Sequence, residues 1–154
     1  MIRKADFSDI PRLAGLFQEL NDKHIEISPE SYRAPFFGFF ELSMESMLSD
    51  NEQFTVFTEE LEGKLCSYAA VQIIEREGAE RVPARILYVE HFVVGEEFRQ
   101  KGCGRRLFEF LKAYAEEIGC DLIQLGAAAK NVEALSFYKA MGMKPRSIKL
   151  EYRL

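Results

Sequence analysis

The stretch Val93-Val94-Gly95-Glu96-Glu97-Phe98-Arg99-Gln100-Lys101-Gly102-Cys103-Gly104-Arg105-Arg106-Leu107 decides how the rest of the chain is read. An apolar run from Ile86 to Val94 leads into it, and a helical pattern from Leu107 to Ile118 leaves it, so it reads as strand, glycine turn, helix. Gly102 and Gly104 carry no β-carbon, which lets the backbone bend sharply and come close to a ligand. The first amides of the following helix have no acceptor inside that helix. Together with the positive end of the helix dipole they form a seat for an anion, typically a phosphate. Arg99, Lys101, Arg105 and Arg106 add positive charge to the same turn. An ordinary basic turn would look the same, because short glycine motifs are weak signals on their own.

A second motif lies toward the C-terminus: Asn131-x-x-Ala134-x-x-Phe137-Tyr138-x-x-x-Gly142-Met143. A strand-like run, Leu122 to Ala127, separates the two. Arg99-x-x-Gly102-x-Gly104 after a strand resembles the acyl-coenzyme A signature of the GNAT superfamily of N-acetyltransferases, and the Asn131–Met143 pattern resembles the second motif of that superfamily. The resemblance is close from Tyr88 to Met143 and loose over the remainder. It implies the GNAT fold, an α/β arrangement in which a mostly antiparallel sheet splays at its middle strands and carries helices on both faces. It also implies acetyl-coenzyme A as co-substrate and an amine as acceptor.

Composition bounds the alternatives. The chain has 154 residues, 47% of them apolar, which suits a single globular domain, 1–154, with one substantial core. Its net charge of −5 argues against a nucleic-acid surface, and the basic residues gather at the glycine turn instead of along a broad face. No apolar run has the length of a membrane span and no signal-peptide pattern opens the chain, so a cytoplasmic protein away from membranes is expected. Cys66, Cys103 and Cys120 are odd in number and lack metal spacing; they read as reduced thiols, with no metal site. Gly102-x-Gly104-x-x-Leu107 lacks the third glycine of a dinucleotide fingerprint, and no Gly-Lys-Ser/Thr triplet marks a phosphate-binding loop for nucleotides.

Along the chain, Met1 to Ala5 suggests a short strand. Asp6 or Ser8 caps a helix whose apolar face is Ile10, Leu13, Leu16, Phe17 and Leu20. Asn21 to Pro35 reads as loop. Phe36-Phe37-Gly38-Phe39-Phe40 then packs beneath that loop, lines an acceptor pocket, or forms a homodimer contact, and Leu42 to Leu48 is helix-like. Phe54 to Thr58 and Leu65 to Glu75 read as an antiparallel pair around a turn at Glu59 to Lys64, with a second hairpin loop over Glu75 to Ala84. Strict alternation over Ile86 to Val94 sets Tyr88, Glu90, Phe92 and Val94 on one face and Leu87, Val89, His91 and Val93 on the other. Glu90 then lies between two aromatics on an apolar face. Either the strand splays open there or the carboxyl has a chemical role. His91 reads as a hydrogen-bonded core residue. Asn131 caps a short helix, and Ser147 to Leu154 is expected to finish the sheet.

The chemistry of amide formation assigns roles to these residues. A neutral amine must attack, so a base must take its proton; the thioester oxygen needs a donor as negative charge builds on it; the departing thiolate benefits from an acid. The resemblance makes Glu90 the base, acting through water, and Tyr138 the acid. It sets the backbone of Phe92, Val93 and Val94 against the pantetheine arm. It sets Arg99, Gln100, Lys101, Gly102, Cys103, Gly104, Arg105 and Arg106 around the pyrophosphate. Asn131 and Tyr138 share one face of their helix, two turns apart, and both address the cofactor. The acceptor is a primary amine of a small molecule or a peptide. The alternative is a sensor that holds the acyl-coenzyme A without transferring anything. Gly95 stands where the family often has proline, and Glu96 and Glu97 make this loop unusually acidic.

Overall fold

The computed structural model describes residues 1–154. Its sheet has five strands in the order β1 to β5: β1 (Ile2–Lys4), β2 (Phe54–Leu61), β3 (Lys64–Arg76), β4 (Ala84–Val94) and β5 (Leu122–Leu125). The first four pair antiparallel, while β4 and β5 run parallel. Helices α1 (Ile10–Ile27), α2 (Phe39–Ser49), α3 (Cys103–Glu117) and α4 (Val132–Ala140) complete the chain. This is the α/β fold with a mostly antiparallel sheet that the sequence predicts. No helix is long and apolar enough to cross a membrane.

Two apolar layers hold the sheet. On one face α1 and α2 bring Leu13, Leu16 and Met44 onto Val56, Tyr68, Ala70 and Val93; on the other α3 brings Leu107, Leu111 and Ala115 onto Phe57, Ala69, Val71, Leu87 and Val89. Each fully buried leucine contributes about 1.5–3 kcal/mol of transfer free energy, so α3 is anchored mainly by Leu107 and Leu111, both with no exposed surface.

Four boundaries differ from the sequence expectation. Helix α1 does not stop at Leu20 but runs two turns further to Ile27. Its second half is mostly polar yet half-buried, with only Asp22 and Glu26 exposed, and no breaker occurs before Ser28-Pro29, where the restriction on residues preceding proline ends the helix. Strand β2 continues to Leu61, and the turn is only Glu62-Gly63, both with positive φ, the tight geometry that matches the twist of a hairpin. Two of the clustered phenylalanines belong to α2: Phe39 and Phe40 pack on Phe17 at 6.0 and 5.1 Å, while Phe37 projects fully into solvent. The fourth difference is the end of the chain. Residues 147–154 form no strand and join no sheet.

The alternation along β4 also breaks. Ala70 of β3 opposes His91, whereas the next residue, Val71, opposes Val89. Glu90 is therefore the extra residue of a β-bulge, which shifts the facing of every later side chain by one. Phe92 joins Leu87 and Val89 on the α3 face, while His91 and Val93 turn to the α1 face. Of the two expectations for Glu90, the structure has the strand opening: its side chain is exposed and accepts a 2.6 Å hydrogen bond from Gln72 Nε2.

Candidate active site

The last pairing of β4 with β5 is Val89 with Leu125. From Glu90 to Val94, β4 has no neighbour on that side. Helix α3 leaves from one lip of this gap and α4 closes it from the other. The result is an open groove of about 490 Å³.

At one end is the glycine turn. Gln100 and Gly102 both have positive φ, 63° and 80°, and Gly102 precedes α3 as its N-cap residue. The backbone amides from Gln100 to Arg105 find no acceptor within the chain; the first that does is Arg106, which donates to the Gly102 carbonyl. Consecutive free amides in this left-handed geometry make a concave anion seat, strengthened by the helix dipole. A pyrophosphate fits this donor set. Arg99 and Arg105 line the groove around it.

Gly104 serves a different purpose from Gly102. A β-carbon there would lie 3.3 Å from the Phe137 ring and 3.4 Å from Val94 Cγ2. At this position the α3 backbone packs directly against Phe137 of α4 and Val94 of β4. Phe137 in turn touches Phe92 and Phe108, at centroid distances of 5.7 and 6.5 Å.

At the other end stands Tyr138, its ring against Phe92 at 6.0 Å and its side chain half-buried on the groove wall. Burial pushes the phenol up to about 12, so it is a hydrogen donor throughout the neutral range. Asn131 caps α4, its Oδ1 accepting from the Ala134 amide at 3.2 Å, which leaves its amide nitrogen available.

The groove thus brings together Phe92, Val93, Val94, Arg99, Gln100, Gly102, Cys103, Gly104, Arg105, Asn131 and Tyr138. It leaves out Lys101, Arg106 and Glu90. Lys101 Nζ sits over the Phe98 ring at 5.4 Å. Arg106 turns inward: Nε donates to Glu59 Oε1 at 2.6 Å, and other guanidinium nitrogens reach the Lys101 carbonyl and Cys103 Sγ at 3.0 and 3.2 Å. Glu59 is almost fully buried and also accepts from Ser67 Oγ at 3.0 Å. Glu59, Cys66 and Cys103 converge within 4.8 Å, and the Arg106 guanidinium bonds to two of the three.

Sequence reasoning missed Glu59, having set it in a turn, and missed Glu19, Leu20 and Lys23, which line the groove from the part of α1 around and beyond its expected end. Glu19 and Lys23 are spaced one turn apart, which would have revealed them had the helix been extended. Glu19 also ties down the acidic loop: its carboxylate accepts from the Glu96 amide at 2.8 Å, while the Gly95 amide donates to the Cys66 carbonyl at 2.9 Å. A proline at 95 would forfeit that second bond. Beyond the bulge, His91 Nδ1 meets the Tyr68 hydroxyl at 3.0 Å, and burial pushes the imidazole down to about 4, with His24 adding to the effect.

The Arg106–Glu59 pair supports a prediction. Arg106→Ala leaves a buried carboxylate with only Ser67 as a partner. Loss of a charged hydrogen bond to a buried group costs about 1–3 kcal/mol once the half-exposed arginine is allowed for. The variant should melt several degrees lower, with coenzyme A affinity within a factor of a few of wild type. Unchanged melting with a large loss of affinity would instead assign the guanidinium to the cofactor.

Residues 13–143 match the acetyltransferase (GNAT) family. Glucosamine 6-phosphate N-acetyltransferase of Arabidopsis thaliana is 29% identical over 101 residues, which are 66% of this chain and 64% of that protein. A mutant of a Bacillus halodurans protein superposes with a TM-score of 0.93 at 22% identity, over 100% of this chain and 99% of the other. The aminoglycoside N-acetyltransferase AAC(6')-Iy in complex with CoA superposes with a TM-score of 0.72 at 17% identity, over 100% and 98% of the two chains.

Proposed function

The chain belongs to the acetyltransferase (GNAT) family, and we propose that it moves an acetyl group from acetyl-coenzyme A to a primary amine by direct attack within a ternary complex. The observation that carries this reading is the groove itself: a row of free amides from Gln100 to Arg105 at one end, a donor phenol at the other, and between them a strand edge with no partner. A thread-like molecule with a pyrophosphate at one end and a thioester at the other suits that shape and polarity. The CoA complex of a structurally similar protein supports the same choice.

In this reading the pyrophosphate rests on the turn from Arg99 to Arg105, and the pantetheine arm takes the place of a strand against Phe92, Val93 and Val94. The thioester lies near Phe92 and Tyr138. A neutral amine attacks the carbonyl carbon, the C–S bond breaks, and coenzyme A leaves as thiolate. Glu90, exposed at the bulge, takes the proton from the incoming amine through water. The acceptor is a small-molecule or peptide amine that approaches from the side of Glu90 and Gln72, where Phe17, Phe39, Phe40 and His91 supply an apolar wall. Two similar proteins are named for amino-sugar acceptors, a hexosamine phosphate and aminoglycosides. Amino sugars therefore lead the panel of amines to be incubated with radiolabelled acetyl-coenzyme A. Label transfer to at least one amine supports the enzyme. Tight binding of acetyl-coenzyme A with no transfer to any amine would leave a sensor.

Tyr138 carries its own prediction. A phenol raised to about 12 is a weaker acid than an ordinary thiol, which for cysteine titrates near 8.5, so the departing thiolate is the weaker base of the pair. Complete proton transfer is therefore uphill, and its contribution is a hydrogen bond that strengthens as sulfur becomes negative. Tyr138→Phe should lower kcat and kcat/KM together by roughly 10–10²-fold, the low end of acid–base effects, with little change in cofactor KM. A raised KM at constant kcat would make Tyr138 a binding residue only.

A further inference from the structure

We propose that an arginine-lined cleft at the far end of the sheet receives an anionic group, phosphate or carboxylate, carried by the acceptor, so that amine and acid lie along one face of β3, β4 and β5. The inference rests on the reading that the amine approaches from the side of Glu90 and Gln72. The apolar layer beneath α1 and α2 reaches Ala70 on β3 and stops there. Beyond it Gln72, Ile74 and Arg76 carry the same face onward, because side chains two apart on a strand point the same way. Register sets Tyr88 and Ile86 beside Gln72 and Ile74, and Gln124 beside Tyr88. The run begins at Gln72, hydrogen-bonded to Glu90, and ends in an open cleft of about 360 Å³.

Arg76, Arg81 and Arg146 line that cleft from three separate stretches: the end of β3, the loop before β4, and the segment after α4. None of them has a carboxylate partner, whereas Arg3, Arg12, Arg85 and Arg106 each have one. Arg99 and Arg105 are unpaired in the same way, and they line the cofactor groove, where an anion is expected. Arg76 Nε donates to the Val82 carbonyl at 3.0 Å, which holds the guanidinium and leaves its two terminal nitrogens free. Glu75 lines the cleft too but is drawn to Arg85 at 2.8 Å, so Glu77 alone opposes three cations. Such an excess stands out in a chain of net charge −5, which has carboxylates to spare. A cleft of one sign draws the opposite charge, and the planar arginine fork matches phosphate and carboxylate oxygens in pairs. Gln72 and Arg76 are four residues apart, a span of about 13 Å along the strand, which side chains leaning along the strand can shorten. The acceptor class is therefore an extended amine with an acid at its far end.

The test uses three probes of equal chain length, octylamine, aminooctanoate and aminooctyl phosphate, each with a terminal amine. They are offered to the wild-type chain and to the double variant Arg81→Ser with Arg146→Ser. Both arginines are exposed and neither side chain makes a hydrogen bond, so the variant should keep its circular dichroism and melting temperature. Label transfer from acetyl-coenzyme A gives kcat/KM, and titration calorimetry with the groove filled by coenzyme A gives affinity. In the wild type an acidic probe should exceed octylamine in both readouts by about 10–10²-fold, the worth of one charge-assisted hydrogen bond. The double variant should bring that ratio close to one. The larger of the two advantages tells phosphate from carboxylate. Equal affinity of all three probes for the wild type, or an advantage that survives the double variant, would overturn the proposal while label transfer left the transferase standing. Acidic probes that bind the wild type and not the variant, with no label passed to any amine, would keep the anion site and remove the transferase instead.

Discussion

Gly104→Val should abolish measurable coenzyme A binding while the chain still folds. The β-carbon alone would press on the Phe137 ring at 3.3 Å and on Val94 at 3.4 Å, and the two methyl groups of valine reach further. Overpacking of this kind costs about 1–3 kcal/mol, within reach of a fold anchored by two separate apolar layers. The strain is relieved most cheaply by moving α4, which has no buried residue to hold it. Asn131 and Tyr138 move with it, and the groove loses its far wall. A displacement near 1 Å in a positioned site is worth roughly 10²-fold, and the valine also crowds the amide row at the start of α3. The half-saturating concentration of acetyl-coenzyme A should therefore rise by about 10²-fold or more. Gly15→Ala is the control: no atom lies within 4 Å of its β-carbon, so binding should persist and stability rise slightly. Titration calorimetry decides, and wild-type affinity in Gly104→Val would remove the groove from the mechanism.

Glu90→Gln should cut kcat by about 10²–10⁴-fold, the range expected for a positioned base, with cofactor affinity nearly unchanged because the side chain lies outside the groove. The substitution keeps the hydrogen-bonding partner of Gln72 and removes only the charge. A base must hold a lone pair for the departing proton, and the glutamine amide is too weak a base to take it. Equal rates in the two proteins would exclude Glu90 as the base.

The features legible in the sequence were those encoded locally. The glycine turn, the Asn131 cap and the apolar face of α3 each depend on residues within a turn or two of one another, and the resemblance carried by the two motifs pointed to the fold class. What escaped was non-local. The burial of Glu59 depends on Arg106, distant in sequence, turning away from the groove to meet it. The bulge at Glu90 is a relation between β3 and β4 that no period along β4 alone can reveal, so alternation put Phe92 and Val93 on the wrong faces. The polar half of α1 lacks the apolar stripe by which helices are recognised, and with it went Glu19 and Lys23. The final segment has a strand's period, yet residues 147–154 form no strand, because period two along one segment does not supply a neighbouring edge.

The bulge gives β4 something like a reading frame. Upstream of residue 90 odd-numbered side chains point to α3; downstream even-numbered ones do. Deleting this one residue would remove the bulge and set His91 directly after Val89, with every downstream face unchanged. Straightening the strand with Glu90 kept in the pleat would instead turn its last part inside out, sending Phe92 toward α1 and Val93 toward α3. Loops elsewhere in the chain can lengthen or shorten over evolution, but the run from His91 to the glycine turn is fixed by count, because its parity decides which face meets the ligand.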